Sequence, residues 1–189
     1  KCTHDSGSVV VCNNKETFDF EKAKRKLNKA LKKGIYKWGR EWVYRDVPRR
    51  IIAEQYMSDN SSSSELTDYK FMCFDGAVKC VFTGTKRYSS EGLHITFFDK
   101  EWKRLPFERH YPSDPDEICK PICLEEMIML AEKLSVGIPF ARIDFYDVCG
   151  RPYFGEITFF PGCGFEEFSP VDWDYILGNW ITLPEERRC

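Results

Sequence analysis

Several things that would narrow the chemistry of this chain at once are missing from it. No apolar run approaches the roughly 20 residues a helix needs to span a bilayer, and no signal-peptide pattern opens the sequence. The expectation is therefore a soluble, cytoplasmic protein. Charge of one sign is missing too: 28 Lys and Arg stand against 30 Asp and Glu, a net charge of -2, which argues against a nucleic-acid binder driven by phosphate neutralisation. The nine cysteines are odd in number and scattered through strand-like segments (Cys73, Cys80, Cys149), so they read as reduced thiols rather than a disulfide framework. Cys119 and Cys123 are followed by no second Cys or His pair at ligand spacing, which leaves a zinc site without its other half. Nothing in the chain points to an activated Ser or Cys nucleophile.

What is present is apolar surface and one crowded stretch. A chain of 189 residues that is 42% hydrophobic and 15% aromatic can bury a sizeable core in one domain or two small lobes. Ala141 to Phe165 reads A-R-I-D-F-Y-D-V-C-G-R-P-Y-F-G-E-I-T-F-F-P-G-C-G-F. Two apolar runs flank a Cys149-Gly150 turn, the pattern of a β-hairpin. Period-two alternation puts Arg142 with Asp144 on one face and Glu156 with Thr158 on one face. If the register aligns the two pairs, a polar cluster forms inside an apolar sheet. Carboxylates on hairpins are commonly solvated, and Asp147 is read that way. Asp144 and Glu156 differ, being enclosed by Ile143 and Phe145, and by Ile157, Phe159 and Phe160. Two adjacent buried carboxylates need a compensating cation, and hard oxygen donors on rigid strands suit Mg2+.

Elsewhere the chain starts with Lys1, a short polar loop through Gly7, and an apolar run Val9-Val10-Val11-Cys12. This reads as a loop leading into a strand; its backbone N–H groups could wrap a phosphate, although a simple turn is the plainer alternative. The missing initiator Met and abrupt start suggest an N-terminally truncated piece. Thr17 to Lys33 is expected to be a helix, with Phe20, Ala23, Leu27, Ala30 and Leu31 at helical spacing, Asp19 or Thr17 as cap and Gly34 beyond the end. Its lysine-rich face reads as solvated. Ile51 to Met57 reads as a strand, Ser58 to Thr67 as a serine-rich loop. Asp68 to Phe74 and Val78 to Phe82 form two strands about an Asp75-Gly76 turn. Leu124 to Leu134 is a second helix, with Leu124, Met127, Ile128, Ala131 and Leu134 as its core stripe. The aromatic C-terminal segment is expected to pack on the sheet.

The hairpin resembles the terminal signature of the ATP-grasp superfamily: an R-x-D strand, an E-x-N strand and a P-G turn, matched here by Arg142, Asp144, Glu156, Pro161 and Gly162. Thr158 stands where that superfamily usually has Asn, a hydroxyl being the weaker donor. The wording H-I-T-F-F-D, L-P-F-E-R-H-Y-P, G-E-I-T-F-F-P-G and F-E-E-F is similar to one branch, the TupA-like ATP-grasp proteins, and the resemblance runs from Lys1 to Pro184, Thr158 included. It implies an α+β ATP-grasp fold, two lobes of antiparallel sheet with helices clasping a nucleotide, with a partial small lobe over 1–53 and a C-terminal lobe carrying the metal site over 54–189. ATP and Mg2+ are the implied cofactors. Lys1 would bind phosphate, and His4, Ser6, Gly7 and Ser8 would form the loop over the triphosphate. Glu54, Tyr56 and Met57 would hold adenine as the hinge, against the alternative of an ordinary sheet with Glu54 exposed. Asp68 would take the ribose, and Lys86 would approach the phosphates. Asp144, Glu156 and Thr158 would hold metal, and Arg142, with Lys1, would serve the chemistry. The implied activity is carboxylate-amine ligation through an acyl phosphate in cell-surface polysaccharide or glycopolymer biosynthesis. Partners would be ATP and a small-molecule or glycopolymer acceptor, with no nucleic acid and no membrane span. A sugar kinase, a glycosyltransferase and an ATP-binding protein without turnover are the alternatives.

Overall fold

The structure, a computed structural model, describes residues 1–5, 7–34, 36–58, 66–87 and 89–184. The chain divides into two compact units, Lys1–Met57 and Ser58–Cys189.

The first unit is built on helix α1 (Phe20–Leu31). Asp19 starts it, its carboxylate accepting from the Lys22 N–H at 2.8 Å, which satisfies one of the unpaired donors of the first turn. Glu21 near the start and Lys29 near the end oppose the helix dipole. Only Ala23 and Ala30 are buried, so most of the lysine-bearing surface is solvated. A single helical turn, α2 (Tyr36–Gly39), and a 3-10 turn over Trp42–Tyr44 follow. Two expected strands do not form here. Val9 to Cys12 has no ladder, and Val9 and Val11 are exposed: an apolar run becomes a strand only where a partner chain aligns with it. Ile51 to Met57 makes one isolated bridge, Ile51 to Cys2, supported by the Thr3 N–H on Arg50 O and the Ile52 N–H on Lys1 O, each at 2.9 Å.

The second unit is a five-stranded antiparallel sheet in the order β3-β2-β1-β5-β6. Its strands are β1 (Asp68–Phe74), β2 (Ala77–Thr85), β3 (His94–Phe98), β5 (Phe140–Val148) and β6 (Arg151–Thr158). The hairpin turns fall at Asp75–Gly76 and Cys149–Gly150, as the sequence implies. Alternation divides strands β1, β2 and β5 between two cores. On one face Tyr69, Phe71, Val81, Ile143 and Phe145 meet Leu124, Met127 and Ala131 of helix α3 (Leu124–Leu134). On the other face Met72, Phe74, Cys80, Phe82, Ile95 and Phe97 meet Phe107, Leu177, Phe168, Trp173 and Trp180. Those covering residues come from and around a two-stranded ladder, β4 (Glu108–Arg109) with β7 (Phe168–Ser169), and helix α4 (Asp172–Gly178). Phe71 and Phe97 are wholly buried, each stabilising the fold by about 1.5–3 kcal/mol relative to exposure. No disulfide joins the described cysteines, and burial pushes the Cys80 thiol up to about 12, the behaviour of small core residues. No helix among the described residues is long and apolar enough to cross a membrane.

Candidate active site

The second core face carries the charged groups. Strand β5 pairs with β6 so that Arg142 stands opposite Thr158 and Asp144 opposite Glu156, and β5 pairs with β1 so that Asp144 stands opposite Lys70. The β5–β6 register shifts between Asp144 and Phe145, a bulge that leaves Gly155 against the neighbouring backbone. A side-chain carbon on Gly155 would come within 3.0 Å of the Asp144 carbonyl oxygen, so a residue without one lets Glu156 take its place beside Asp144.

The geometry is tight. Arg142 Nε donates to Asp144 Oδ1 at 2.7 Å, and Nη2 donates to Asp144 Oδ2 and to Glu156 Oε1, both at 2.7 Å. Thr158 Oγ1 donates to Glu156 Oε1 at 3.1 Å. Lys70 Nζ lies 3.8 Å from Asp144 Oδ2 and forms a close ion pair with Asp68. Asp144 is buried as expected, but Glu156 is not enclosed: it stands on β6, the edge strand of the sheet, and its side chain is 61% exposed. Burial raises the Asp144 carboxyl above its ordinary value against the pull of Arg142 and Lys70. Burial also weighs against the Arg142 charge, but Asp144 and Glu156 outweigh it and hold the guanidinium protonated.

Three carboxylates (Asp68, Asp144, Glu156) face two cations (Lys70, Arg142), so one negative charge is left over. The donor set fits Mg2+: hard oxygens on adjacent ladder positions, with a carboxyl that burial leaves undercompensated. Among the described residues there is no group of three or more His, Cys, Asp and Glu that could hold a metal ion. Mg2+ commonly uses one or two carboxylates and completes its shell with water and substrate phosphate. Asp144 and Glu156 would hold the ion with Thr158 beside them.

The remaining predicted residues sit as follows. In the first unit Lys1 Nζ pairs with Glu54 Oε2 at 2.7 Å, both partly exposed. His4 is buried, its Nε2–H donating to Lys33 O at 3.0 Å; Nδ1 has no partner among the described residues. Ser8 is buried too, its Oγ accepting from the Cys2 N–H at 3.0 Å and donating to Asp5. Gly7 takes φ +89 and is exposed; Ser6 lies outside the described residues. Tyr56 is exposed and Met57 half-buried. In the second unit Lys86 is enclosed by Glu91 at 2.9 Å, Asp116 at 3.0 Å and Asp114 at 3.3 Å, and the Glu91 hydrogen bond first, then the others, raise its proton affinity.

Three charged residues here escaped the sequence reading. Lys70 was legible in principle, since alternation puts it on the face of Asp68. Arg109 and Glu166, paired at 2.9 Å, lie 57 positions apart in the chain, and no local pattern announces their meeting.

A family model described as TupA-like ATPgrasp matches residues 1–182. No curated protein and no solved structure matches the chain. The family match takes in the loop, helices α1 to α4 and the charged hairpin alike, and the chain belongs to the TupA-like ATP-grasp family, a family of ATP-binding enzymes.

Proposed function

We propose that the chain carries the ATP-binding and catalytic residues of a carboxylate-amine ligase that works through an acyl phosphate in cell-surface polysaccharide or glycopolymer biosynthesis. The observation that carries this reading is the aligned row of Asp144 and Glu156 with Arg142 bridging both carboxylates. In this reading an acceptor carboxylate oxygen attacks the γ-phosphorus of ATP and the bond to ADP breaks. An amine then attacks the acyl carbon, and phosphate leaves with the bonding pair while the amine loses a proton. Neither step needs a protein nucleophile; both need charge to be offset as it develops.

Mg2+, when bound, would supply Lewis-acid neutralisation of phosphate oxygens. Arg142 is held by two carboxylates at 2.7 Å, so its guanidinium is oriented before substrate arrives and can turn its remaining donors to the transferring phosphoryl group. Lys70 neutralises the buried Asp144 from the opposite strand. Asp68 would receive the ribose hydroxyls once released from Lys70. From the first unit this reading assigns Lys1 and the backbone around Gly7 to the phosphates, with His4 and Ser8 bracing the loop, and Glu54, Tyr56 and Met57 to adenine. Lys86 would reach a phosphate only by leaving its own carboxylates.

The test is mass spectrometry of products from the protein given ATP, Mg2+ and carboxylate-bearing glycan or amino-acid acceptors, with hydroxylamine as the amine. ADP together with an acyl hydroxamate supports ligation. A stable phosphoester formed without an amine indicates a kinase, and sugar-nucleotide consumption without ATP hydrolysis indicates a glycosyltransferase.

A further inference from the structure

The row that holds Asp144 continues across the whole sheet. Register pairs Glu156 with Asp144, Asp144 with Lys70, Lys70 with Phe82, and Phe82 with Phe97. Three of its five residues are charged and two are aromatic. Over the aromatic end lies Arg109, its guanidinium carbon 4.6 Å from the Phe82 ring centre and 5.7 Å from that of Phe97. Arg109 is 6% exposed. Its Nε is buried and makes no aligned hydrogen bond, although Glu166 Oε2 stands 2.9 Å away. Among the described residues no hydrogen-bond partner takes its terminal amino groups. The charges of Arg142 and Asp144 are both felt at Arg109, as expected for a group lying beside their row.

A guanidinium removed from water costs several kcal/mol unless its donors are filled. Here one carboxylate fills them incompletely, and that carboxylate is placed with care. Glu166 lies in the space a side chain on Gly162 would occupy, and Gly162 itself takes φ +58. The P-G turn after β6 thus lets Glu166 reach Arg109. An aromatic platform below, a guarding carboxylate at Nε and an unfilled edge form a socket for a planar or tetrahedral oxyanion.

We propose that Arg109 is the anion-binding residue for the acceptor: its unfilled edge receives a carboxylate or phosphate group of the molecule that reacts with ATP, with Glu166 holding the guanidinium in register. The inference rests on the reading that the Asp144 row is the MgATP site, and the experiment separates the two. The protein is first saturated with Mg2+ and a non-hydrolysable ATP analogue, so that nucleotide phosphate positions are filled. It is then titrated by calorimetry with inorganic phosphate and, separately, with succinate.

The expected result is binding of one probe, which identifies the oxyanion class. Arg109→Gln should weaken it about tenfold or more, Arg109→Lys restoring part of the loss, with analogue affinity unchanged within about twofold. Glu166→Gln should strengthen probe binding about threefold, because a neutral amide can still accept from the guanidinium and keep it in register without repelling the incoming anion; a merely structural ion pair has no such effect. Failure of the wild-type protein to bind either probe overturns the proposal, as does equal probe affinity in Arg109→Gln. Should Arg109→Gln not fold, unchanged probe affinity in Glu166→Gln overturns it. Loss of analogue binding in the wild type contradicts the MgATP reading instead, while Arg109-dependent probe binding would survive that loss.

Discussion

The loop from Lys1 to Ser8 and the strand pair β5–β6 are both rich in groups that could meet a nucleotide, and they are built in opposite ways. In the loop the polar side chains are spent on the protein: His4 on Lys33, Ser8 on Cys2 and Asp5, Lys1 on Glu54. What such a loop can offer a phosphate is chiefly its backbone around Gly7. On the strands the backbone is spent on the ladder, and side chains crowd at spacings the register dictates: Arg142 opposite Thr158, Asp144 opposite Glu156, Lys70 opposite Asp144. Ladder positions can therefore hold like charges together that a loop would let drift apart, and the leftover negative charge is concentrated there.

Substitutions on the ladder should accordingly cost more than those in the loop. Asp144→Asn keeps the shape but removes the buried charge and turns one of its two accepting oxygens into a donor facing Arg142 or Lys70, and Mg2+-dependent ATP turnover should fall about 100-fold or more. Steady-state kinetics with circular dichroism to confirm folding checks it; retained turnover would erase the contrast. Glu156→Gln, at a side chain 61% exposed, should lower turnover about tenfold or more while leaving unfolding free energy within about 0.5 kcal/mol.

Lys86→Met tests the second charged cluster of the sheet unit. Burial would raise the Asp114 carboxyl, but bonds from Thr85, the Asp116 N–H and Lys86 outweigh it and hold the group below its ordinary value. Asp114 therefore contributes stability that is present above the ordinary carboxylate range and lost as pH falls through the lower folded value. Lys86→Met should lower stability near neutral pH, with acid loss setting in at higher pH, read from denaturant titrations across pH. The smallest effect belongs to the loop. Lys1→Ala should weaken ATP binding several-fold and change stability by no more than about 1 kcal/mol, its pair with Glu54 being partly exposed. A hundredfold loss there would make the loop, and not the ladder, the seat of affinity.

The same contrast explains what could be read from the sequence. Helix α1 announces itself through its Asp19 cap and its periodicity, and α3 through its apolar stripe. The two hairpins are marked by Asp75–Gly76 and Cys149–Gly150, so alternation alone put Arg142, Asp144, Glu156 and Thr158 on predictable faces. These are local signals. Val9 to Cys12 and Ile51 to Met57 looked equally strand-like, yet pairing depends on a partner that no local pattern supplies, and only Cys2 and Ile51 bridge. Arg109 with Glu166 is the same lesson at the site. Their meeting depends on β4 finding β7 and on Gly162 leaving room for a carboxylate, both consequences of the completed fold. Lys70 lies between: its face follows from alternation with Asp68, but its approach to Asp144 follows only from strand order.

In the proposed function Asp144 and Glu156 act together as the seat of Mg2+ for bound ATP. Calorimetric titration of ATP with and without Mg2+, in the wild-type protein and in the double variant Asp144→Asn with Glu156→Gln, tests it directly. The account predicts that Mg2+ tightens ATP binding about tenfold or more in the wild type and has no such effect in the folded double variant. An equal gain in both would contradict it.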